Sequence, residues 1–285
     1  MRFLVLGASG MAGHVISIYL SEQGHDVVGL CRRPVSFVPC IQGDVTDSDL
    51  LQECLWDSDF DAVINAVGIL NQFAEQNPEK AAYINGAFPH HLAKMTQNLS
   101  TMVIHMSTDC VFAGNTGPYT ELSTPDGASV YDKTKAQGEL NDDKNMTLRN
   151  SIIGPDINEA GIGLFNWFMK QDGPINGFTK AMWTGLTTLE LAKAMEYVAE
   201  NRCTGLVNMV PDDNISKYDL LSLFNRYFKS GKIKISPSDE LILDKTLVRT
   251  NFDCGFVPKS YEEQIAEMAE WVYRHAKLYP HYELR

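Results

Sequence analysis

The most constraining feature of this chain is a glycine-rich turn directly after its first apolar run. Residues 2–6 form a short, mostly apolar segment that is typical of a buried parallel strand. Residues 7–13 follow, with glycines that permit a tight turn and bring the backbone close to a ligand. A helix that begins there points its N-terminus at a pyrophosphate. The pattern predicts a strand–turn–helix unit that binds a dinucleotide. The predicted contacts are Gly7, Ser9, Gly10, Met11 and Gly13.

Strand-like and helix-like segments continue to alternate along the first half of the chain. The predicted strands are residues 2–6, 26–30, 61–66, 101–106 and 146–149, and the predicted helices are 11–23, 47–55, 79–97 and 131–140. Such repeated units predict an α/β fold, a doubly wound parallel sheet (Rossmann fold), over residues 1–155. Helical patterns dominate afterwards. They predict a smaller, interwoven C-terminal substrate-binding lobe over residues 156–285, with later sheet elements from about 183–210.

Charge and composition exclude several classes of partner. The net charge of −12 argues against nucleic acid or an anionic membrane as the main partner, although a local phosphate site remains compatible with it. The six cysteines show no metal-binding spacing, which predicts reduced thiols and a cytoplasmic protein. No segment has 18 uninterrupted apolar residues, so no membrane span is expected. No carboxylate cluster with a defined spacing indicates a metal ion, and no metal ligand is predicted.

The end of the second strand indicates which nicotinamide cofactor the chain prefers. Arg32 and Arg33 stand there, where an acid would favour NAD by binding the ribose 2′-hydroxyl. Two cations favour NADPH, with NADH left open, while the alternative is a pair of solvated surface arginines. Asp44 and Val45 either border the adenine or belong to the start of the next helix. After the third strand, the small residues Ala66 and Gly68 let a cofactor cross the sheet edge.

A hydroxyl, a phenol and an amine are expected at the reacting end. Tyr131 and Lys135 have the i,i+4 spacing that puts both on one helical face, and Thr108 ends the fourth strand. A nearby ammonium lowers the pKa of a phenol, which then exchanges a proton with a carbonyl oxygen. The Thr108 hydroxyl is expected to bind the same oxygen. A second pair with this spacing, Tyr273 and Lys277, is assigned to the surface because no strand end precedes it.

These motifs together resemble the extended short-chain dehydrogenase/reductase family, and within it the dTDP-4-dehydrorhamnose reductase group. The resemblance implies NADPH-dependent reduction of a nucleoside-diphosphate-linked 4-keto-6-deoxyhexose in nucleotide-sugar biosynthesis. It implies Thr108, Tyr131 and Lys135 as the catalytic trio, with Tyr131 and Lys135 also at the cofactor and Lys135 on the nicotinamide ribose. Thr108 and Asp109 are expected to contact the substrate. The related dehydratases carry an acid pair at Asp109 and the next position, but here Cys110 follows, so dehydration is not expected.

Several assignments stay open at this point. Trp183 lies in a segment similar to the family's sugar-pocket loop, where it either stacks on the sugar or packs as an ordinary half-buried side chain. Asp244, Lys245 and Arg249 are similar to the segment near the nucleotide diphosphate, although a surface salt bridge explains Arg249 equally well. An NAD-retaining epimerase and a non-catalytic subunit like that of methionine adenosyltransferase are the alternative functions. A homodimer is one oligomeric state left open.

Overall fold

The computed structural model describes residues 1–56 and 59–284. In its first half, strands and helices alternate as far as residue 153. The elements in chain order are β1 (Arg2–Leu6), α1 (Met11–Glu22), β2 (Asp26–Cys31), β3 (Cys40–Gln42), α2 (Ser48–Trp56), β4 (Ala62–Asn65), α3 (Asn71–Gln76), α4 (Pro78–Ala81), a π-helical turn (Ala82–Ala87), α5 (Phe88–Met95), β5 (Met102–Met106), a 3-10 turn (Asp109–Val111), α6 (Val130–Gln137), β6 (Met146–Arg149) and β7 (Ser151–Ile153).

Helices and very short strands make up the second half. They are α7 (Leu164–Met169), β8 (Ile175–Phe178), β9 (Ala181–Trp183), β10 (Gly185–Thr187), α8 (Thr188–Asn201), β11 (Gly205–Asn208), β12 (Ile215–Ser216), α9 (Lys217–Phe228), β13 (Ile235–Ser238), β14 (Leu243–Asp244), α10 (Tyr261–Arg274) and a 3-10 turn (Ala276–Leu278). No helix among the described residues is both long and apolar enough to span a bilayer.

The main sheet has seven parallel strands in the order β3-β2-β1-β4-β5-β6-β11. The order reverses between β1 and β4, as it does in a doubly wound sheet. The predicted fold class is therefore confirmed. Its seventh strand, β11, comes from beyond residue 155, while β9 and β10 pair outside this sheet. The division into two lobes at about residue 155 stays a prediction.

Burial on both faces explains why the strands are almost continuously apolar. Phe3 and Val5 enter one core with α1 and α8, whereas Leu4 and Leu6 enter the other with α2 and α5. All four side chains are fully buried, and each contributes roughly 1.5–3 kcal/mol to stability. The C-terminal part has its own apolar core, where aromatic side chains of α7, α9 and α10 pack together. The strand β1 is therefore packed on both faces, and this packing fixes the position of its C-terminal end.

The largest difference between prediction and structure concerns the helix predicted at 79–97. In the structure, this helical segment begins at Pro78, passes through the π-helical turn Ala82–Ala87 and ends at Met95. The dipeptide Asn85-Gly86 lies in this turn, and both residue types are poor helix formers. The elements β3 and α3 were not predicted, because a three-residue edge strand and a six-residue helix are too short to show a periodic pattern.

Candidate active site

The predicted site segments meet at one edge of the main sheet. Because β1, β2, β4 and β5 are parallel, their carboxyl ends lie at the same edge. The glycine turn follows β1, Arg32 follows β2, residues 66–68 follow β4 and residues 107–109 follow β5. Ligands of open α/β sheets bind at this edge, where the strand order reverses.

The glycine turn has a geometry that side chains would disrupt. Gly7 has a φ of +83° and donates its N–H to the Leu30 carbonyl over 2.8 Å. Gly10 donates in turn to the Gly7 carbonyl over 2.9 Å. A Cβ at Gly13 would lie 2.1 Å from the Gly7 carbonyl oxygen, well inside van der Waals contact. The close approach of α1 to the turn therefore requires glycine at position 13.

The N-terminus of α1 is electrostatically suited to an anion. Gly10 is its N-cap without any side-chain cap, and the first turn contains no acid. His14 is fully buried, donates to the Gly10 carbonyl and accepts from the Tyr279 hydroxyl. Burial lowers the pKa of His14 to about 4, so the side chain is neutral. Positive potential at this helix end thus comes from the backbone dipoles, as phosphate binding requires.

Two predicted contacts flank the turn. The Ser9 side chain hydrogen-bonds toward the Cys31 thiol at the end of β2. The Met11 sulfur lies 3.1 Å from the position that a Cβ on Gly163 would take, so it covers the residue before α7. The turn therefore touches both β2 and the segment that leads into α7. Neither contact tests whether Ser9 or Met11 binds a cofactor, and both remain predictions.

Cations line the end of β2. Arg32 and Arg33 are exposed there. Asp44 accepts hydrogen bonds from the backbone N–H and hydroxyl of Thr46, at 3.0 and 2.9 Å. These bonds, together with Arg32, hold the pKa of Asp44 below its usual value. Val45 is buried in the core with α2. The cap of α2 is Asp47, which accepts from the Leu50 N–H over 3.1 Å.

The loop after β4 is anchored by two asparagines. Asn65 accepts from the Val67 N–H over 3.2 Å, and the Ala66 carbonyl packs over Gly7. Asn85 accepts from the Ile69 N–H at 2.8 Å and donates to its carbonyl at 2.9 Å. It also donates to Thr134 of α6. Asn85 therefore ties the loop that contains the exposed Gly68 to the helix of the trio.

Sequence reasoning missed Asn85. The available signal was an Asn-Gly dipeptide inside a predicted helix, which marks an interruption. The structure shows a π-helical turn there, a feature that is frequent at functional sites.

The predicted trio lies close to the end of β5. The helix α6 begins with a capping box, in which Ser129 accepts from the Asp132 N–H, and so carries Tyr131 in its first turn. Thr108, Tyr131 and Lys135 are 8%, 8% and 5% exposed. Thr108 donates to Asp109 over 3.0 Å and accepts from the Cys110 N–H over 3.1 Å.

The electrostatics of Tyr131 differ from the expectation. Burial and the neighbouring Cys110 and Asp109 raise the pKa of the phenol, against an opposing hydrogen bond with Thr108. The Lys135 amine donates to the Met106 carbonyl over 2.6 Å and lies 3.4 Å from the His105 ring. The net shift of the phenol pKa is therefore upward, opposite to the expected lowering, because burial is its largest cause.

Burial also changes the amine itself. It lowers the pKa of Lys135 to about 8, against an opposing effect of Glu139. The phenol thus retains its proton at neutral pH, whereas the amine loses its proton near pH 8.

Two cations of the C-terminal half face the acid beside the trio. Asp109 is 7% exposed, and burial raises its pKa against the effects of Thr108, Lys245 and Lys217. Lys217 begins α9, and Lys245 follows β14. The strands before these lysines, β12 and β14, pair with opposite edges of β9 at Met182. Sequence reasoning missed Lys217, since a lysine that begins a helix shows no distinguishing pattern.

Trp183 and Arg249 have packing roles in the structure. Trp183 is 4% exposed, and its ring centre lies 5.6 Å from that of Tyr261 in the C-terminal core. The sequence left open whether Trp183 stacks on the sugar or packs as an ordinary side chain. The burial of Trp183 supports the packing role. Arg249 is 8% exposed and donates to the carbonyls of Asn251, Cys254 and Phe256, so its guanidinium braces a loop.

The group of His25, Glu196 and Glu200 has atoms within 4.8 Å of one another that could ligate a metal. It stands at the opposite edge of the sheet, because His25 precedes β2. Glu196 already accepts from Tyr19 over 2.6 Å and pairs with His25 over 2.8 Å. These contacts give the group a structural explanation.

A doubly wound sheet, a glycine turn at a helix N-terminus and a buried hydroxyl–phenol–amine set define a nucleotide-binding protein of the Rossmann type. The family model described as the RmlD substrate binding domain matches residues 1–152. The chain belongs to this family.

Two relatives and one solved structure illustrate the similarity. The probable low-salt glycan biosynthesis reductase Agl14 of Haloferax volcanii is 38% identical over 143 residues, or 49% of this chain and 48% of that protein. A dTDP-4-dehydrorhamnose reductase of Mycolicibacterium smegmatis is 31% identical over 48% of this chain and 40% of its own length. The chain thus matches about half the length of these relatives or less.

The structure of a dTDP-4-dehydrorhamnose reductase from Bacillus anthracis in complex with NADP has the same fold. It aligns with a TM-score of 0.77 at 17% identity, covering 94% of this chain and 98% of that one.

Proposed function

We propose that this protein is an NADPH-dependent reductase of the 4-keto group of a nucleoside-diphosphate-linked 4-keto-6-deoxyhexose. The observation that carries the proposal is the arrangement of Thr108, Tyr131 and Lys135. These side chains are nearly buried at the carboxyl end of β5, at the same sheet edge as the glycine turn. Family membership and the reductase names of the relatives support the same reaction.

The phenol is the proton donor in this proposal. When bound, NADPH supplies a hydride from its nicotinamide ring. Tyr131 gives its proton to the substrate oxygen, and its raised pKa keeps that proton in place at neutral pH until the oxygen becomes basic. The Lys135 ammonium offsets the charge left on the phenolate and donates to the nicotinamide ribose.

The threonine hydroxyl orients the carbonyl. Thr108 now donates to Asp109, so it must turn this proton toward the substrate oxygen to bind it. The Cys110 N–H remains bonded to the threonine oxygen and fixes its position. A donor aimed at the reacting oxygen typically contributes about 10²–10³ in rate.

The preference for NADPH rests on the end of β2. Arg32 and Arg33 are exposed beside the glycine turn, where a cation binds a ribose 2′-phosphate. The NADP named in the Bacillus anthracis structure supports the same choice. Asp44, Val45, Ala66 and Gly68 stay cofactor-contact predictions, and Asp109 stays a substrate-contact prediction. A cytoplasmic location and a homodimer also remain predictions.

Tyr131→Phe tests the proposal. We expect turnover of a nucleotide-linked 4-keto-6-deoxyhexose to fall by about 10²–10⁴, while NADPH affinity measured by fluorescence stays within about threefold. The matched control is Tyr273→Phe, which alters the other Tyr-x-x-x-Lys pair at a 41% exposed position and should leave both quantities unchanged. Equal turnover of Tyr131→Phe and wild type would contradict the role of the phenol as proton donor.

The two alternative functions give different results in the same experiments. An epimerase would retain its nicotinamide cofactor through purification and turn over without consuming added NADPH. A non-catalytic subunit would show no turnover with any keto sugar and would form a stable complex with a second chain. The intact trio favours an enzyme, since a binding subunit has no need of a buried phenol and amine at the sheet edge.

A further inference from the structure

A buried row of polar groups leads from β4 to the Lys135 amine. Asn65 and His105 are register partners on the adjacent strands β4 and β5, and both are 0% exposed. The Asn65 amide nitrogen lies 3.1 Å from His105 Nδ1. His105 Nε2 lies 3.4 Å from Lys135 Nζ, and that amine donates to the Met106 carbonyl.

Chemistry fixes the direction of each hydrogen bond in this row. The Val67 backbone N–H can only donate, so the Asn65 side chain presents its oxygen to Val67 and its NH₂ to His105. His105 Nδ1 must then accept. A neutral imidazole that accepts at Nδ1 carries its hydrogen on Nε2, which points at Lys135.

The imidazole is neutral here. Burial and the nearby amine of Lys135, with a smaller effect of His90, lower the pKa of His105 far below its usual value. The Nε2–H group therefore meets the amine as a donor. An ammonium has only donors to offer, whereas an uncharged amine accepts this bond and still donates to Met106.

We propose that His105, oriented by Asn65, is a positioning residue that favours the uncharged form of the Lys135 amine through an Nε2–H···Nζ hydrogen bond. The inference rests on the proposed role of Lys135 in the reductase. It adds that a contact with His105 shifts the equilibrium between the ammonium and the uncharged amine. His105 thereby adds to the effect of burial and lowers the upper pH limit of the reaction, because the ammonium is the form that stabilises the phenolate.

The other charged group near Lys135 is largely neutralised. Glu139, just beyond the end of α6, favours the ammonium. Arg149 of β6 binds both oxygens of Glu139, at 2.8 and 2.6 Å, and Ser107 donates to it at 2.6 Å. The ion pair is nearly buried, with side chains 3% and 8% exposed. Among the described groups around the amine, this leaves the His105 ring as the contact that a substitution can change cleanly.

The direct test follows the Lys135 titration by NMR in the full-length protein. Lysine is labelled with ¹³C at Cε, and the Lys135 signal is assigned by its loss in Lys135→Met. In His105→Phe, which keeps a ring but removes both nitrogens, we expect the titration midpoint to rise by about one pH unit, a tenfold change in proton affinity. His105→Gln keeps an amide N–H near Nε2 and should restore the wild-type midpoint.

His14→Phe is the matched control. It also removes a fully buried, neutral histidine, but His14 contacts Gly10 and Tyr279 rather than Lys135, so the midpoint should not move. An unchanged or lower midpoint in a folded His105→Phe protein would overturn the proposal.

A measurement on the wild-type protein needs no variant. A long-range ¹H–¹⁵N spectrum distinguishes the two neutral tautomers, and we expect the Nε2–H form of His105. The Nδ1–H form would refute the proposal even if every His105 variant failed to fold.

Activity gives a third readout. The upper limb of the kcat/KM profile should shift upward with the NMR midpoint in His105→Phe, whereas a purely structural role would lower activity equally at every pH. Absence of turnover in the wild type would contradict the proposed reductase function, and the NMR results would still decide the role of His105.

Discussion

The buried Lys135 amine should make the protein less stable than a variant without it. Burial lowers the pKa of this group from 10.5 to about 8, so the unfolded chain holds the proton more tightly than the folded protein. Stability therefore rises with pH across the window from about 8 to 10.5, and the full cost is present below about 8. The shift of about 2.5 units corresponds to about 3 kcal/mol at neutral pH.

Lys135→Met isolates this cost. Methionine keeps most of the apolar stem and removes the charge. It also leaves the Met106 carbonyl without its hydrogen bond, a loss of about 1–3 kcal/mol. The variant should therefore be more stable than wild type by about 1 kcal/mol near pH 7 while losing turnover.

Urea unfolding at several pH values measures the effect. Between about pH 7 and about pH 9.5 the stability difference should change by about 2 kcal/mol, from about 1 kcal/mol in favour of Lys135→Met to about 1 kcal/mol in favour of wild type, because the folded wild type no longer carries the buried charge at the higher pH. Lys133→Met, at an exposed position on the same helix, should show no such pH dependence. A difference between Lys135→Met and wild type that stays constant with pH would refute the reasoning.

Further substitutions probe the threonine, the end of β2 and the glycine turn. Thr108→Val should lower kcat by about 10²–10³ without changing NADPH affinity, and Thr108→Ser should retain most of the rate in the same steady-state assay. Arg32→Glu should lower the kcat/KM ratio of NADPH to NADH by at least about tenfold, because it puts an acid where the 2′-phosphate is expected. Gly13→Ala should abolish cofactor binding in a calorimetric titration, since its Cβ would lie 2.1 Å from the Gly7 carbonyl oxygen. The Gly10→Ala variant should bind the cofactor more weakly but measurably, since its Cβ would lie 3.2 Å from the same oxygen.

Features set by local sequence were predictable. The first strand, the glycine turn and α1 follow one another within residues 2–22, so apolar patterning and glycine geometry indicated the unit without tertiary information. Tyr131 and Lys135 were predicted from their i,i+4 spacing together with their position after the fourth strand, and both follow from the order of the residues.

Features that depend on distant contacts were not predictable. The neutral state of His14 depends on burial, and its ring accepts a hydrogen bond from Tyr279, which is 265 positions away. Arg249 braces backbone carbonyls that become its neighbours only when the loop folds. A lowered pKa of Tyr131 was expected from the proximity of Lys135, but burial, which depends on the folded structure, raises it.

Transfer of deuterium tests the central claim most directly. The protein is incubated with NADPH deuterated at the transferable C4 position and with a panel of nucleotide-linked 4-keto-6-deoxyhexoses, and the products are examined by mass spectrometry and NMR. We expect one deuterium at sugar C4 in wild type and at least a hundredfold slower labelling in Tyr131→Phe. Products without deuterium, or equal labelling by wild type and Tyr131→Phe, would contradict the account.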